Sequence, residues 1–539
     1  MAGEWEEAPM QPAGGDLPRR PFHVIFCIEK SIQHHSIFII WQQTDSITAS
    51  PRRGGSCALS FYFSYQEVNP LDREAKKKWM AEGAAVLLGL AVGLCPAPDG
   101  LGQPAMWVLG LLAWAIVNWM TNAVPDFVCI LVMCSAWVLL GIVPFPAAFA
   151  SFSSATVWLL IAAMGISAAV SKSGLLARVA LKVMSVAPPT FRGQSLALMG
   201  SGLLIGPFIP STIVKVSIVG AMATDIGDKL GYEKRSEGMA GLWSSMYLGY
   251  NQLSQAFLSA SFFAYIILGL LPPDVQAQFT WTFWLMASLP WLVLSGAAGY
   301  FLIQFHYRPK HAPKVTREDI RAMADGLGPM NREEKLTLAV LLVCVVFWVL
   351  ERALNVPAAI TAIGGLCVLL SLGVIKAADF NQRISWNVIC FMGGAINLAN
   401  AITVTGIDKW LGAAFGGPMS ALISHPALFV LTVGAAALAA RLIIVDMTTC
   451  YALFIVVLSP FCLDAGMSPW IAAMCAYCVV YPYFTKYQNV NFLAAFNSAG
   501  GDEKLDHRQL VPFCLTFHLV SILALAASVP WWRMLGLIP

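Results

Sequence analysis

An apolar stretch at 201–226, "SGLLIGPFIPSTIVKVSIVGAMATDI", is interrupted by residues whose types suit anion binding. Pro210 ends one helical half, Ser211 and Thr212 are suited to N-cap the next, and Lys215 follows within a turn. A helix starting there directs unpaired N–H groups and the positive end of its dipole at whatever lies beyond it. A carboxylate or another oxyanion is the natural occupant, and the Lys215 ammonium adds a full positive charge. At membrane depth a lysine is costly unless a cavity or a partner meets it. A second interruption, "ARLIIVDMTTCYALFIVVLSP" at 440–460, offers Asp446, Thr448 and Thr449. Asp446 suits a cation or a proton; it equally suits neutralisation of Lys215, or of Arg441 on the same segment. The two threonines also suit plain hydrogen bonds back to the preceding helical turn.

Each interruption is followed by a second polar stretch. "SSMYLGYNQLSQAFLSAS" (244–261) carries Gly249, Asn251, Gln252 and Ser254, and "YPYFTKYQNVNFLAAFN" (481–497) carries Pro482, Thr485, Tyr487, Gln488 and Asn489. Unwound backbone in such places offers carbonyl and amide oxygens to a substrate or to Na⁺. The expected substrate-binding set is therefore Ser211, Thr212, Lys215, Asn251, Thr448, Thr449, Gln488 and Asn489. The expected cation or coupling set is Asp446, Gly249 and Thr485. No HExxH, GxxxxGK[ST] or GxSxG pattern is present, so neither a membrane hydrolase nor an ATP-driven pump has motif support. His425 and His518 are isolated and read as structural. No enzyme, catalytic residue or cofactor is expected; Na⁺ is a possible coupling ion, and Asp446 leaves a proton open as well.

The elements that must position these residues are membrane helices. The chain of 539 residues is 58% hydrophobic and 12% charged, against roughly 45–50% and about 25% for soluble domains. A formal net charge of +3 argues against nucleic acid as a partner. The 13 cysteines lie scattered in apolar runs without CxxC spacing and read as packing residues. Residues 1–79 are expected to form a poorly ordered cytoplasmic tail, or to reflect an assigned start upstream of Met80. From there hydropathy gives roughly eleven spans of about 20 residues: 81–98, 104–122, 125–145, 154–172, 238–270, 281–304, 335–352, 357–375, 386–405, 469–497 and 511–532. Two further segments, 192–229 and 426–462, are long enough to enter and leave on one side. The first transmembrane half is 80–304 with a tip near 210–215, the connecting loop is 305–334, and the second half is 335–539 with a tip near 446–449.

Charge tests this threading, because cytoplasmic loops of membrane proteins collect Lys and Arg. With "REAKKKW" inside, Lys172, Arg178 and Lys182, the cluster "DKLGYEKRSE", Arg308 to Arg332, Lys376, Arg383, Lys504 and Arg508 all fall inside. Arg352, Lys409 and Arg533 fall outside. Making either hairpin a full crossing would reverse everything after it. The halves also echo one another: "AVSKSGL" (169–175) and "AITVTGI" (401–407) share A-[VI]-[ST]-x-[ST]-G-[LI], in opposite orientations. That is the signature of inverted-topology repeats. The expectation is an all-α polytopic protein of the cell membrane, N-terminus cytoplasmic, with two re-entrant hairpins in two inverted repeats.

These segments resemble the divalent anion:sodium symporter family, the dicarboxylate and citrate transporters of the larger ion-transporter superfamily. Ser211 to Lys215 sit where the family has its S-N-T-A-R type tip, Met447, Thr448 and Thr449 resemble the repeat of that tip, and "YPYFT" resembles the family's L-P-x-x-T. The resemblance implies an elevator-type homodimer that carries di- or tricarboxylates by Na⁺ symport or anion exchange. A transporter of an inorganic oxyanion such as sulfate, and an anion channel, are the alternatives. Where the family tips place a Na⁺-coordinating Asn, this chain has Thr212 and Thr448, and Lys215 stands near the family's sodium position. Those departures weaken the expectation of sodium binding, whereas Asp446 favours a bound cation or proton.

Overall fold

The computed structural model describes residues 70–309, 316–444, 446–481, 483–486 and 488–539. The expected tail up to residue 69, and Pro482 and Tyr487, lie outside them. The described residues are helical throughout, with no strand among them. Six helices are long and apolar enough to cross a membrane, seven if a pair bent by 113° between Gly416–Ile423 and Pro426–Ala440 counts as one span. The first helix, Pro70–Leu94, begins earlier than the expected span at 81. Proline suits a first helical turn, and the Glu, Ala, Lys and Met after it are good helix formers.

The inverted repeat extends well beyond the seven-residue echo. Asn122 (φ 51°) and Asn355 (φ 52°) each end a helix in the left-handed region shortly before a Val-Pro pair, Asn122 one residue further from it. Each is followed by a 14-residue helix, Asp126–Leu139 and Ala358–Ser371. Next come two 19-residue helices, Ala155–Ser173 and Trp386–Val404, closed at Gly174 (φ 83°) and Gly406 (φ 74°). Those two glycines are the echo's own, and left-handed φ is why glycine stands in both copies. The helices Leu175–Val186 and Ile407–Ile423 follow, neither of which is among the spans expected from hydropathy.

Each repeat then folds a hairpin. The first has a 15-residue arm, Phe191–Ile205, and an 18-residue arm, Thr212–Lys229. The second has arms of the same lengths, Pro426–Ala440 and Met447–Asp464. Beyond each hairpin the stretches expected as single spans at 238–270 and 469–497 are broken. The first consists of Glu237–Tyr247, a run of π and 3-10 turns, and Phe262–Leu270. The second consists of Trp470–Val479, an irregular stretch, and Val490–Ser498.

The repeats cross-pair. A Cβ built on Gly165 would stand 2.5 Å from Leu366, and one on Gly394 would stand 2.8 Å from Ile130, so each repeat's 19-residue helix packs on the other's 14-residue helix. The hairpins follow the same rule. Gly220, on the first hairpin's second arm, lies against Ala495 and Ser498 of the second broken span. Tyr451, on the second hairpin's second arm, meets the ring of Phe263 in the first broken span, centroids 5.5 Å apart. Both tips are thereby brought to the same broken backbone.

Candidate functional site

Hairpin one turns through Gly206–Phe208, and Ser211 is the N-cap of its second arm. The Ser211 side chain makes no capping bond. Among the described residues no acceptor meets the N–H groups of Thr212, Ile213 or Val214, and the Thr212 hydroxyl, on a residue 1% exposed, is unpartnered. The tip is an open helix N-terminus. Two bonds hold it to the first break: Phe262 N donates to Pro210 O at 3.1 Å, and Ser259 Oγ to Pro207 O at 2.5 Å.

Lys215 lies in the first turn of that arm and is fully buried. Helical side chains lean toward the N-terminus, which carries its ammonium back to the tip beside Gly206. Nζ donates to the carbonyl of Ala260 at 2.6 Å. That is its one acceptor among the described residues, and no carboxylate there lies within ion-pair distance. An ammonium has three donors, so two remain for a ligand.

The second tip is built differently. Asp446 is the N-cap of Met447–Asp464, and its Oδ2 accepts from Thr449 N at 2.5 Å. Because the arms match in length, Asp446 corresponds to Ser211 and Met447 to Thr212. The resemblance had aligned Thr448 with Thr212; the helix start moves that register by one residue. Thr448 and Thr449 are both buried. Arg441, just past the first arm and fully buried, donates to the carbonyls of Val480 (2.8 Å), Ile444 (2.5 Å) and Gln488.

The two breaks face each other. Asn491 Nδ2 donates to Asn251 Oδ1 at 3.4 Å, and Gln252 Nε2 to Tyr481 O at 3.4 Å. Asn491 went unremarked in the sequence, although it stands two residues from Asn489 in the same polar run. Asn489 caps the last half-helix through Oδ1, to Asn491 N (2.9 Å) and Phe492 N (3.1 Å). Gln488 Oε1 accepts from Thr485 N at 3.0 Å, so it braces the break, while the Thr485 hydroxyl is unpartnered. Asn251 Nδ2, Gln252 Oε1 and Asn491 Oδ1 are likewise buried without partners. Buried polar groups of this kind are normally satisfied, so the cluster is chemically incomplete as it stands. Gly249 has a packing role: a Cβ there would lie 2.4 Å from Met199 O on the first hairpin arm. Among the described residues no group of three or more His, Cys, Asp and Glu side chains could hold a metal ion.

Comparison with known proteins shows the family. The family model for the sodium:sulfate symporter transmembrane region matches residues 76–538. A membrane protein of Cupriavidus necator is 26% identical over 370 residues, covering 65% of this chain and 71% of its own. Dicarboxylate transporter 2 of Spinacia oleracea chloroplasts is 25% identical, covering 64% of each chain. The putative malate transporter YflS of Bacillus subtilis is 24% identical, covering 65% of this chain and 75% of its own. The chain is a multi-pass membrane transporter, and it belongs to the sodium:sulfate symporter family, the divalent anion:sodium symporters.

Proposed function

We propose that this protein exchanges carboxylate anions, C4 di- and tricarboxylates foremost, across the cell membrane, binding them at the open tip of the first hairpin. One observation carries the reading: Lys215 is buried at an uncapped helix N-terminus with no carboxylate among the described residues to pair with it. A buried cation without a counter-charge is expensive, and an arriving anion removes that cost. The relatives named as dicarboxylate and malate transporters favour a carboxylate over sulfate.

The same observation favours exchange over Na⁺ symport. A Na⁺ at the breaks would need backbone carbonyls, but Ala260 O already accepts from Lys215, and Val480 O and Gln488 O accept from Arg441. The Lys215 ammonium is fixed to the chain. A carrier whose site is empty therefore keeps that buried charge without a carboxylate beside it among the described residues, and its return across an apolar barrier is penalised until a second anion loads. In this reading the hairpins and broken spans move together against the cross-paired helices, the basic face is cytoplasmic, and the protein works as a homodimer.

The test is uptake of labelled succinate into proteoliposomes, with and without a Na⁺ gradient and with and without internal succinate. Exchange predicts stimulation by internal succinate and indifference to Na⁺. Uptake that demands Na⁺ and ignores internal anion would sink exchange, and a sulfate preference would move the substrate to an inorganic oxyanion. Currents far above carrier turnover would identify a channel.

A further inference from the structure

The two hairpins place equivalent helix starts at the site, yet only one is open. Ser211 leaves the first N-terminus uncapped, and the buried Thr212 hydroxyl beside it has no partner. At the equivalent position of the second hairpin stands a carboxylate, and it already holds Thr449 N at 2.5 Å. A substrate carboxylate at a helix N-terminus would use the same N–H groups and the same dipole. We propose that Asp446 fills the second anion hole with the chain's own carboxylate and so determines specificity: a bound dicarboxylate has one helix N-terminus available, at Thr212, and its second carboxylate gains none.

The proposal rests on the carboxylate-transport reading and adds to it which end of the substrate is recognised as an anion. The second hole is built to accept one once vacated. The buried Thr449 side chain stands at its edge beside the Asp446 carboxyl, and the Thr449 N–H would be released. Asp446 is a common N-cap residue type, so a purely structural role is the alternative. That role concerns folding and leaves the ranking of two bound anions unchanged.

The experiment compares succinate with succinamate, in which a neutral amide replaces one carboxylate at nearly constant shape. Each competes against labelled succinate in exchange-loaded proteoliposomes of the full chain, for wild type, Asp446→Ser and Asp446→Asn. In wild type the two competitors are expected to differ by about threefold or less, since the second carboxylate gains no helix end. Asp446→Ser, which copies Ser211, is expected to raise the preference for succinate by about tenfold, the scale of one charge-assisted bond at a helix terminus. Asp446→Asn keeps a capping oxygen without its charge and is expected to raise it by a smaller factor, which keeps the test decisive if the serine variant does not fold. An unchanged or lowered succinate preference in the folded variants overturns the proposal. So does a wild type that already prefers succinate by far more than tenfold. Wild type that exchanges no carboxylate at all overturns the transport reading instead, and the proposal with it.

Discussion

The two hairpin tips share arm lengths, break geometry and a buried cation, but each distributes its charges in its own way. In the first, Lys215 spends one donor on Ala260 O and the helix end stays open. In the second, Arg441 spends its guanidinium on backbone carbonyls and Asp446 closes the helix end. On the proposed reading one repeat keeps its cation and helix end for a ligand, and the other uses a cation and a carboxylate to brace itself. A planar guanidinium with five fixed donors suits several carbonyls at once, whereas an ammonium is a compact charge that can turn toward an anion. A duplicated fold can thus keep its backbone symmetric while dividing labour between copies.

Substituting the two cations separates these roles most sharply. Arg441→Ala strands the carbonyls of Val480, Ile444 and Gln488, at about 1–3 kcal/mol for each buried group left unpaired. It is expected to lower the melting temperature severely or to prevent folding, as read by thermal unfolding in detergent. Lys215→Ala strands one carbonyl, so its stability loss is smaller, on the order of 1–3 kcal/mol. Its exchange activity is expected to fall about a hundredfold or more, since the site loses its free charge. If Arg441→Ala folds normally but does not transport, or Lys215→Ala transports like wild type, the division of labour is wrong.

Much of this was readable in the sequence because interrupting a membrane helix is chemically loud. Pro210, Ser211 and Lys215 in one apolar stretch mark a tip, and opposite-handed charge threading makes both tips re-entrant. The glycines at 174 and 406 were visible as an echo, and their left-handed φ explains the match. The Asn-to-Val-Pro signature at 122 and 355 was equally present and would have extended the repeat by two helices. The register at the second tip was not legible. "DMTT" offers three side chains able to cap, and only the helix start shows that Asp446 is the one that does. Gly249 was read as a ligand site because it sits among amides; the close approach of Met199 appears only once the hairpin arm is packed on the break.

That approach supplies a second contrast between the repeats. A Cβ on Gly202 would lie 2.4 Å from the Gly249 backbone, where neither side can yield. The position matching Gly202 in the second arm pair is Ala437, which tolerates its methyl group while fully buried. The first arm is thus seated on its break so closely that a methyl group at 202 has no room, whereas the matching position of the second arm carries one. Gly202→Ala is expected to cost about 1–3 kcal/mol through overpacking, read as a lower melting temperature together with a weaker apparent affinity for succinate. Gly434→Ala, whose new methyl would meet the Ile522 side chain at 3.0 Å, is expected to cost less. Equal losses would mean that the Gly249 backbone yields as readily as the Ile522 side chain.

The smallest expected effect concerns how each hairpin is tied at its base. The first is tied by charge: Lys504 reaches Asp228 (2.8 Å) and Asp225 (3.1 Å), and Arg235 reaches Asp506 (3.1 Å). The second is followed by a backbone bond, Ser468 N to Leu537 O at 2.8 Å, which is indifferent to salt. The bond that Lys504 donates to Asp228 holds the Lys504 ammonium above its ordinary 10.5, so its contribution is complete below that value and is lost only as pH rises past the raised one. Bonds from Arg508 N and then Arg235 hold the Asp506 carboxyl below its ordinary 3.8; its contribution is complete above 3.8 and lost as pH falls through the lowered value. Between these limits the tie does not change with pH, and ionic strength is the variable that tests it. Exposed pairs are weak and screened, so Lys504→Met is expected to lower the melting temperature by only about 2 °C at low salt. Molar salt should erase that difference. A difference that survives molar salt would show that Lys504 supports the first hairpin by packing, as the second hairpin is supported, and would remove this contrast between them.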